Sequence, residues 1–405
     1  MKYPPEDKIL LQLLFEPKKA KLLLSFRKTD TKPPENDLDW TCLVEKSRQE
    51  GVSAVLFHNI TKYHLEDLVP GDSYRSLSND YYTNLKRNLS IIGTLREVLA
   101  AFQKAGIPCI VLKGIYLAEH LYPNIAMRGM SDVDVLVSKE DLFKADDCLS
   151  RLGYTSRDSS AAKAINNPAG YLASLEYRKN DASPLNLHLH WHTVNTSVPA
   201  TMFVDDIDLE GLWESAEPIC VADGQALMLR PEHLIIYLCE HALRVGHSFD
   251  RLILVCDIFF ALKTLESTID WSFLVKESRR FNLSRFVYFG LSIVKHYTSL
   301  AIPDECLDKL KPANISWGEK CFLSQQFNNR RIRGSSYFIY LAMNRGLTAK
   351  IRFITRTFFP PRQILLQRGP GKGSESTKSY YLFRIREVFL YIIRSVAQNL
   401  LRITK

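Results

Sequence analysis

The sequence lacks the features typical of secreted, membrane-spanning and zinc-stabilised proteins. It has no Cys-x-x-Cys pair, no basic-then-apolar leader after Met1, and no uncharged apolar stretch of bilayer-spanning length. The eight cysteines are scattered, mostly through apolar runs, which is typical of reduced core thiols rather than of disulfides. We therefore expect a cytoplasmic protein without a transmembrane segment.

Acidic residues are scarce in one part of the chain only. Residues 330–405 carry 16 Lys or Arg against 2 Asp or Glu, a net charge of +14, whereas residues 1–329 carry −5. Such a tail is compatible with a solvated basic surface, and also with peripheral contact to an anionic membrane, an acidic partner or nucleic acid.

A turn-rich linker precedes the last segment, where apolar residues recur at helical spacing among arginines. This pattern predicts an amphipathic helix that packs on the protein or lies in a membrane interface. Its stripe comprises Leu382, Ile385, Phe389, Ile392, Val396 and Ile403.

Length and patterning predict several regions. A chain of 405 residues with 46% hydrophobic residues is long enough for two or three modules. Helical periodicity over residues 1–100, including segments at Trp40–Ile60 and Leu89–Phe102, predicts a helical region with a packing role. We place an α/β core at residues 101–225, a second helical region at 226–330 and the basic tail at 331–405. In the second helical region, His241 and Asp257 lie in apolar runs, which predicts a buried pair between helices.

The chemistry is concentrated between Ile107 and Val137. A second apolar run in this stretch carries Asp132 and Asp134, and residues two apart on a strand project from the same face. Two carboxylates on a buried strand repel each other and lose hydration, so they need cations to stay ionised. Oxygen ligands favour a hard divalent cation, so the pair predicts a Mg²⁺ site.

The first apolar run of this stretch ends abruptly at Lys113-Gly114, before a helix-like segment. A strand that turns into a helix presents backbone N–H groups to an anion, and glycine lets a phosphate approach closely. The turn and the Asp-Val-Asp strand together predict a site for a nucleoside triphosphate (NTP) and magnesium.

These residues resemble a known group of proteins. Gly114 followed by Asp132-Val133-Asp134 is similar to the nucleotidyltransferase superfamily that includes DNA polymerase beta. More narrowly, Leu-Lys-Gly, Arg128, Ser-Asp-Val-Asp-Val-Leu-Val and Leu189-His-Trp resemble a bacterial family of uncharacterised nucleotidyltransferases. The resemblance implies an α+β fold, a polymerase-beta-like core of small mixed sheet and helices, flanked by helical regions.

The resemblance also implies an activity. A nucleoside monophosphate (NMP) would pass from an NTP to an acceptor, with release of pyrophosphate. Asp132 and Asp134 would hold two Mg²⁺ ions, and the nucleotide would bind at Lys113, Gly114, Arg128 and Ser131. The acceptor stays open among protein, sugar, small molecule and RNA.

One position departs from the family pattern. An acid commonly precedes Leu-His-Trp in the family, and here that position is His188. His188 could act as a neutral ligand or base, Glu176 on the neighbouring strand could substitute, or catalysis could be weakened. The last case predicts a catalytically degenerate module that binds nucleotide or a partner. His188, His190 and His192 alternate on one strand face, so a zinc site, a role beside the phosphate or metal, and a solvated face all remain open.

Overall fold

The computed structural model describes residues 5–29, 38–156, 173–179, 186–194, 204–244, 247–329, 331, 334–344, 346–359 and 377–400. The turn-rich linker falls largely outside these residues, as does the last residue of the predicted tail stripe, Ile403.

A seven-stranded mixed sheet forms the centre of the described structure, with strand order β3-β4-β5-β2-β1-β7-β6. Its strands are β1 (Cys109–Leu112), β2 (Asp132–Val137), β3 (Tyr154–Ser156), β4 (Ser174–Lys179), β5 (Asn186–His190), β6 (Glu217–Val221) and β7 (Gly224–Met228). β2 is antiparallel to β1 and parallel to β5, and β4 is antiparallel to β5.

The register of the central strands aligns the predicted residues. Asp134 of β2 pairs with Leu112, the last residue of β1, and on its other side with His188 of β5. His188 in turn pairs with Glu176 of β4. The turn after Leu112 therefore lies beside the Asp-Val-Asp segment, and His188 occupies the strand position next to Asp134.

The amino-terminal region is helical, and its longest helix, Gly71–Lys104, packs against β2 and β7. The helices are α1 (Pro5–Phe15), α2 (Pro17–Thr29), α3 (Trp40–Gln49), α4 (Ser53–Lys62) and α5 (Gly71–Lys104). The predicted single segment Trp40–Ile60 is two helices, because Gly51 adopts a φ of +71° between them. α5 begins well before the predicted Leu89, and its buried face includes Leu95, Val98 and Phe102.

Short helices connect the strands. α6 (Lys113–Tyr116) runs into a π-helical turn at Leu117–Leu121, and a 3₁₀ turn at Ile125–Met127 leads to β2. After β2, Ser138 Oγ accepts a hydrogen bond from Asp141 N, and α7 (Leu142–Arg151) begins with Asp141 as its N-cap residue. α8 (Leu209–Glu214) precedes the hairpin of β6 and β7.

The remaining helices form the carboxyl-terminal half: α9 (Pro231–Leu243), α10 (Leu252–Thr264), α11 (Trp271–Arg280), α12 (Ser284–Tyr297), α13 (Asp304–Leu310), α14 (Trp317–Phe327), α15 (Tyr337–Met343), α16 (Leu347–Phe358) and α17 (Thr377–Leu400). α9 is buried along its whole length and starts with Pro231 in its first turn, as predicted. One cluster of buried apolar side chains extends from Ile9 to Phe353, so the predicted regions share a core.

The predicted tail segment forms helix α17, and part of its apolar stripe is exposed. Leu382 and Phe389 of the predicted packing stripe are 68% and 57% exposed, whereas Val388 is buried. Arg384 anchors α17 by donating to Thr357 O and to the Tyr337 hydroxyl. Among the described residues, no helix has the length and apolar character needed to cross a bilayer.

Candidate functional site

The turn that follows β1 has an unusual backbone. Lys113 adopts a positive φ of 21°, which L-residues rarely do. Gly114 is buried beside Asp132 and Arg128: a Cβ at this position would lie 3.7 Å from Asp132 O and 3.8 Å from Arg128 Nη1. The glycine therefore keeps a narrow space open between the strand end and the Arg128 guanidinium.

Asp134 is the buried centre of the site. Its side chain is 2% exposed, with Lys113 Nζ 3.3 Å from Oδ2 and His190 Nε2 2.9 Å from Oδ1. Burial alone would raise the pKa of Asp134, but Lys113, His188 and His190 outweigh burial and hold it well below its usual value. Asp134 is thus a buried carboxylate. Within the described structure, no hydrogen-bond donor satisfies its Oδ2.

Asp132 and His188 lie at the open side of the same cluster. Their side chains are 33% and 31% exposed, and His188 Nδ1 is 3.9 Å from Asp132 Oδ2 and 3.5 Å from Asp134 Oδ1. Burial lowers the pKa of His188, but the contact with Asp134 is stronger and the net shift is upward. His188 therefore lies within ion-pair distance of both carboxylates.

The other two histidines of the predicted strand, His190 and His192, lie in different surroundings. Burial lowers the pKa of His190, and its neutral ring donates through Nε2 to Asp134 if the proton is on that nitrogen. His192 lies beyond the end of β5, and its Nδ1 accepts from Val194 N. Glu176, beside His188 in the register, accepts from Arg178.

Arg128 is held by a buried carboxylate. Its Nε and Nη2 donate to the two oxygens of Asp257, each at 2.9 Å, and Tyr122 donates to Asp257 Oδ1 at 2.7 Å. The predicted pairing of His241 with Asp257 is therefore wrong, because Arg128 and Tyr122 occupy that carboxylate. Asn88 of α5 donates to Arg128 O at 2.8 Å and to Ile125 O, which fixes the backbone that carries the guanidinium. Arg128 Nη1 remains directed to the Gly114 turn.

A cavity of about 410 Å³ opens beside this cluster. Its lining includes the predicted residues Lys113, Gly114, Arg128, Ser131, Asp132 and Asp134. Helices on both sides of the core complete it with residues that the sequence did not single out for chemistry, including Arg48, Asn84, Arg87 and Arg251. The amino-terminal region, predicted only to pack, therefore forms part of the cavity wall.

A family model described as uncharacterised nucleotidyltransferase matches residues 36–299, more than half of the chain. The chain belongs to this family. The predicted resemblance and the α+β nucleotidyltransferase fold are thereby confirmed. No curated protein matches the chain in sequence. The solution structure of the antibiotic-resistance factor ANT(2'')-Ia is similar over 51% of this chain and 98% of that chain, with 12% identity and a TM-score of 0.33. So weak a likeness carries no argument about substrate.

The nucleotidyltransferase family implies a divalent metal, and the residues present fit one. Asp134 Oδ2 is a buried carboxylate oxygen that makes no hydrogen bond among the described residues and has the Lys113 ammonium 3.3 Å away, and the Asp132 carboxylate projects from the same strand face. The ligand atoms of Asp134, His188 and His190 also lie within 4.8 Å of one another. A set of two carboxylates suits Mg²⁺, whereas imidazole nitrogen suits a transition metal.

Proposed function

We propose that this protein is a metal-dependent nucleotidyltransferase that moves an NMP from an NTP to an acceptor and releases pyrophosphate. The observation that carries the proposal is the strand register that sets Asp134 between the end of β1 and His188. It places an acidic pair and a glycine turn in one cavity wall with a histidine beside the acids, and these are groups that phosphoryl chemistry uses.

In the proposed reaction, an acceptor oxygen or nitrogen forms a bond to the α-phosphorus while the bond to pyrophosphate breaks. The acceptor loses its proton, and the pyrophosphate leaves with the electron pair of the broken bond. Lys113, the Gly114 turn and Arg128 bind phosphate oxygens, and Ser131 donates a hydrogen bond at the mouth of the site. Because Asp257 holds one edge of the Arg128 guanidinium through Nε and Nη2, its remaining Nη1 is oriented before substrate binds.

Asp132 and Asp134 would hold Mg²⁺, with two ions expected, which supplies charge stabilisation for the phosphates and activates the attacking group. His188 would act as a ligand or neighbour of that metal in place of the usual acid. His190 is a positioning residue, because its contact with Asp134 Oδ1 fixes the orientation of the carboxylate that would hold the cation.

The test is pyrophosphate release from each of the four NTPs with Mg²⁺, with cell extract as the source of acceptor. We expect release with the native chain and none with Asp132→Ala/Asp134→Ala. Release that continues without both aspartates would contradict the proposal.

His188 favours one alternative, a catalytically degenerate module of the same fold that binds nucleotide or a partner. A histidine cannot bring to the metal site the negative charge that a carboxylate at this position would bring. Under this alternative, an NTP raises the melting temperature of the chain but no pyrophosphate appears.

We also propose that the basic tail makes peripheral contact with an anionic membrane from the cytoplasmic side. On α16, Leu347, Ile351 and Ile354 follow helical spacing and are 74%, 53% and 45% exposed. Together with the +14 charge of residues 330–405, this exposed apolar stripe matches an interfacial helix on anionic lipid.

Vesicle sedimentation tests the tail. The native chain should sediment with vesicles that contain phosphatidylserine and stay in solution with neutral vesicles. Ile351→Asp/Ile354→Asp should abolish sedimentation, whereas Leu89→Asp, at an exposed position on α5, should not change it. If all variants sediment equally with anionic and neutral vesicles, the membrane proposal is wrong, and an acidic protein is the remaining partner for the tail.

A further inference from the structure

Five cationic side chains line the cavity, and three of them are already paired. Arg48 Nε lies 2.8 Å from Asp80, Lys113 Nζ lies 3.3 Å from Asp134, and Arg128 Nε lies 2.9 Å from Asp257. The other two are Arg87 of α5 and Arg251, the N-cap residue of α10. Both are exposed, and in the part of the chain that the structure describes neither has a carboxylate within ion-pair distance. The helical side of the cavity therefore carries two uncompensated positive charges.

The backbone near these arginines adds a second attraction for anions. α4 is ten residues long, its N-cap residue is Val52, and no side chain caps its first amides. Gly51 and Ser53, at this helix end, line the cavity. An uncapped helix amino terminus presents N–H groups and partial positive charge to an anion.

A buried donor or acceptor in the same cavity also lacks a partner. His241 is 6% exposed and lines the cavity, and its Nδ1 has no hydrogen-bond partner among the described residues. A buried polar atom without a partner costs free energy unless a ligand or water satisfies it. His241 therefore adds an unpartnered polar atom to the cavity, which suits a ligand that carries oxygen atoms.

We propose that Arg87 and Arg251, with the uncapped end of α4, form a phosphate-binding subsite contributed by the helices rather than by the Gly114 turn. Two arginines and an uncapped helix end in one cavity provide the positive charge and the N–H donors that a phosphate group requires. The role of the subsite rests on the proposed nucleotidyl transfer, where the phosphate belongs either to the NTP tail or to a phosphate-bearing acceptor. A cationic acceptor is disfavoured in either case.

The probe is inorganic pyrophosphate, titrated by calorimetry into the metal-free full-length chain at low salt. Arg87→Gln and Arg251→Gln should each weaken binding by about tenfold and the double variant by about a hundredfold, as expected for charge-assisted hydrogen bonds. Lys86→Gln, next to Arg87 on α5, and Lys263→Gln, on α10, remove the same charge away from the cavity and should leave affinity unchanged. Circular dichroism checks that each variant is folded.

A second titration in the presence of a saturating non-hydrolysable ATP analogue and Mg²⁺ distinguishes the sources. If pyrophosphate still binds and depends on both arginines, the subsite serves a phosphate-bearing acceptor. If the analogue displaces pyrophosphate, and the double variant weakens binding of ATP but not of AMP, it serves the NTP tail.

Absence of pyrophosphate binding, unchanged affinity in the double variant, or equal losses in the lysine controls would overturn the subsite. None of these readouts needs turnover. A failure of nucleotidyl transfer would therefore leave the binding result intact, and the reverse also holds.

Discussion

The two walls of the cavity are built in different ways. The strand wall takes Asp132 and Asp134 from β2, whose register sets Asp134 against the end of β1. The helical wall takes Arg87 from α5 and Arg251 from the start of α10, with no backbone ladder between them. The strand wall combines its carboxylates with Lys113 and Arg128, whereas the two arginines of the helical wall have no carboxylate partner in the part of the chain that the structure describes. Under the proposals above, the two walls would bind different groups of one ligand, a metal-bound phosphate at the strand wall and a further phosphate at the helical wall.

Removing the central carboxylate of the strand wall should have the largest effect. Asp134→Asn keeps the shape of the side chain but removes the charge that would hold the metal, so we expect turnover to fall about 10³-fold, as when a group that stabilises transition-state charge is lost. The measurement is pyrophosphate release at saturating NTP. Glu140→Gln, an exposed acid after β2, is the control and should keep full activity. If turnover of Asp134→Asn falls by less than tenfold, the metal binds elsewhere.

The ion pair of Arg128 with Asp257 joins the strand wall to α10, and breaking it should mainly cost stability. Asp257→Ala leaves a buried guanidinium unpaired, so the free energy of unfolding should fall by about 3 kcal/mol. Asp147→Ala removes a pair with Arg151 in which both side chains are more than half exposed. That control should cost well under about 1 kcal/mol. Urea unfolding measures both.

The double variant Arg128→Leu/Asp257→Leu separates stability from binding. Apolar replacements of both partners should recover most of the lost stability, because no buried charge remains. Affinity for NTP should stay reduced, since Arg128 Nη1 beside Gly114 is gone. Recovery of both properties would mean that Arg128 only holds the fold together.

The strand wall could largely be predicted from sequence, and the helical wall could not. Asp132, Asp134 and the turn at Lys113 follow from local signals: apolar runs, period-two alternation and a glycine at a strand end. The pairing of Arg128 with Asp257 spans 129 positions, and no local pattern distinguishes Asp257 from a partner of His241. Tertiary packing decides such contacts.

One usable signal lies in α5. Asp80, Asn84 and Arg87 continue the same helical face that Ile91 and Leu95 make apolar further along. A face that changes from apolar to polar along one helix indicates that the helix leaves the core and enters a solvent-filled site. The sequence of residues 80–87 could therefore have predicted a cavity wall, although it could not have predicted that Arg251 lines the same cavity.

Restoring the usual acid at position 188 should make the strand wall more selective for a hard cation. His188→Asp replaces an imidazole with a carboxylate beside Asp132 and Asp134, so Mg²⁺ affinity should rise about tenfold and Zn²⁺ affinity should fall. Calorimetric titration of each metal measures this without turnover. The control is His64→Asp at an exposed position in the amino-terminal region. Unchanged affinity for both metals would exclude His188 from the metal environment.

The smallest expected effect tests whether the two walls touch. Asn84 of α5 lies against Gly129, in the segment before β2. A Cβ on Gly129 would be 3.1 Å from Asn84 Oδ1 and 3.2 Å from Nδ2. Gly129→Ala should therefore destabilise the chain by about 1 kcal/mol, as expected for overpacking of a tight contact. In an Asn84→Ala background the conflict is absent, and the same substitution should become neutral or slightly stabilising because alanine restricts the unfolded chain. Urea unfolding of the four proteins gives the coupling. Equal costs in both backgrounds would show that Asn84 does not press on Gly129, and the strand and helical walls would then have to be treated as independent.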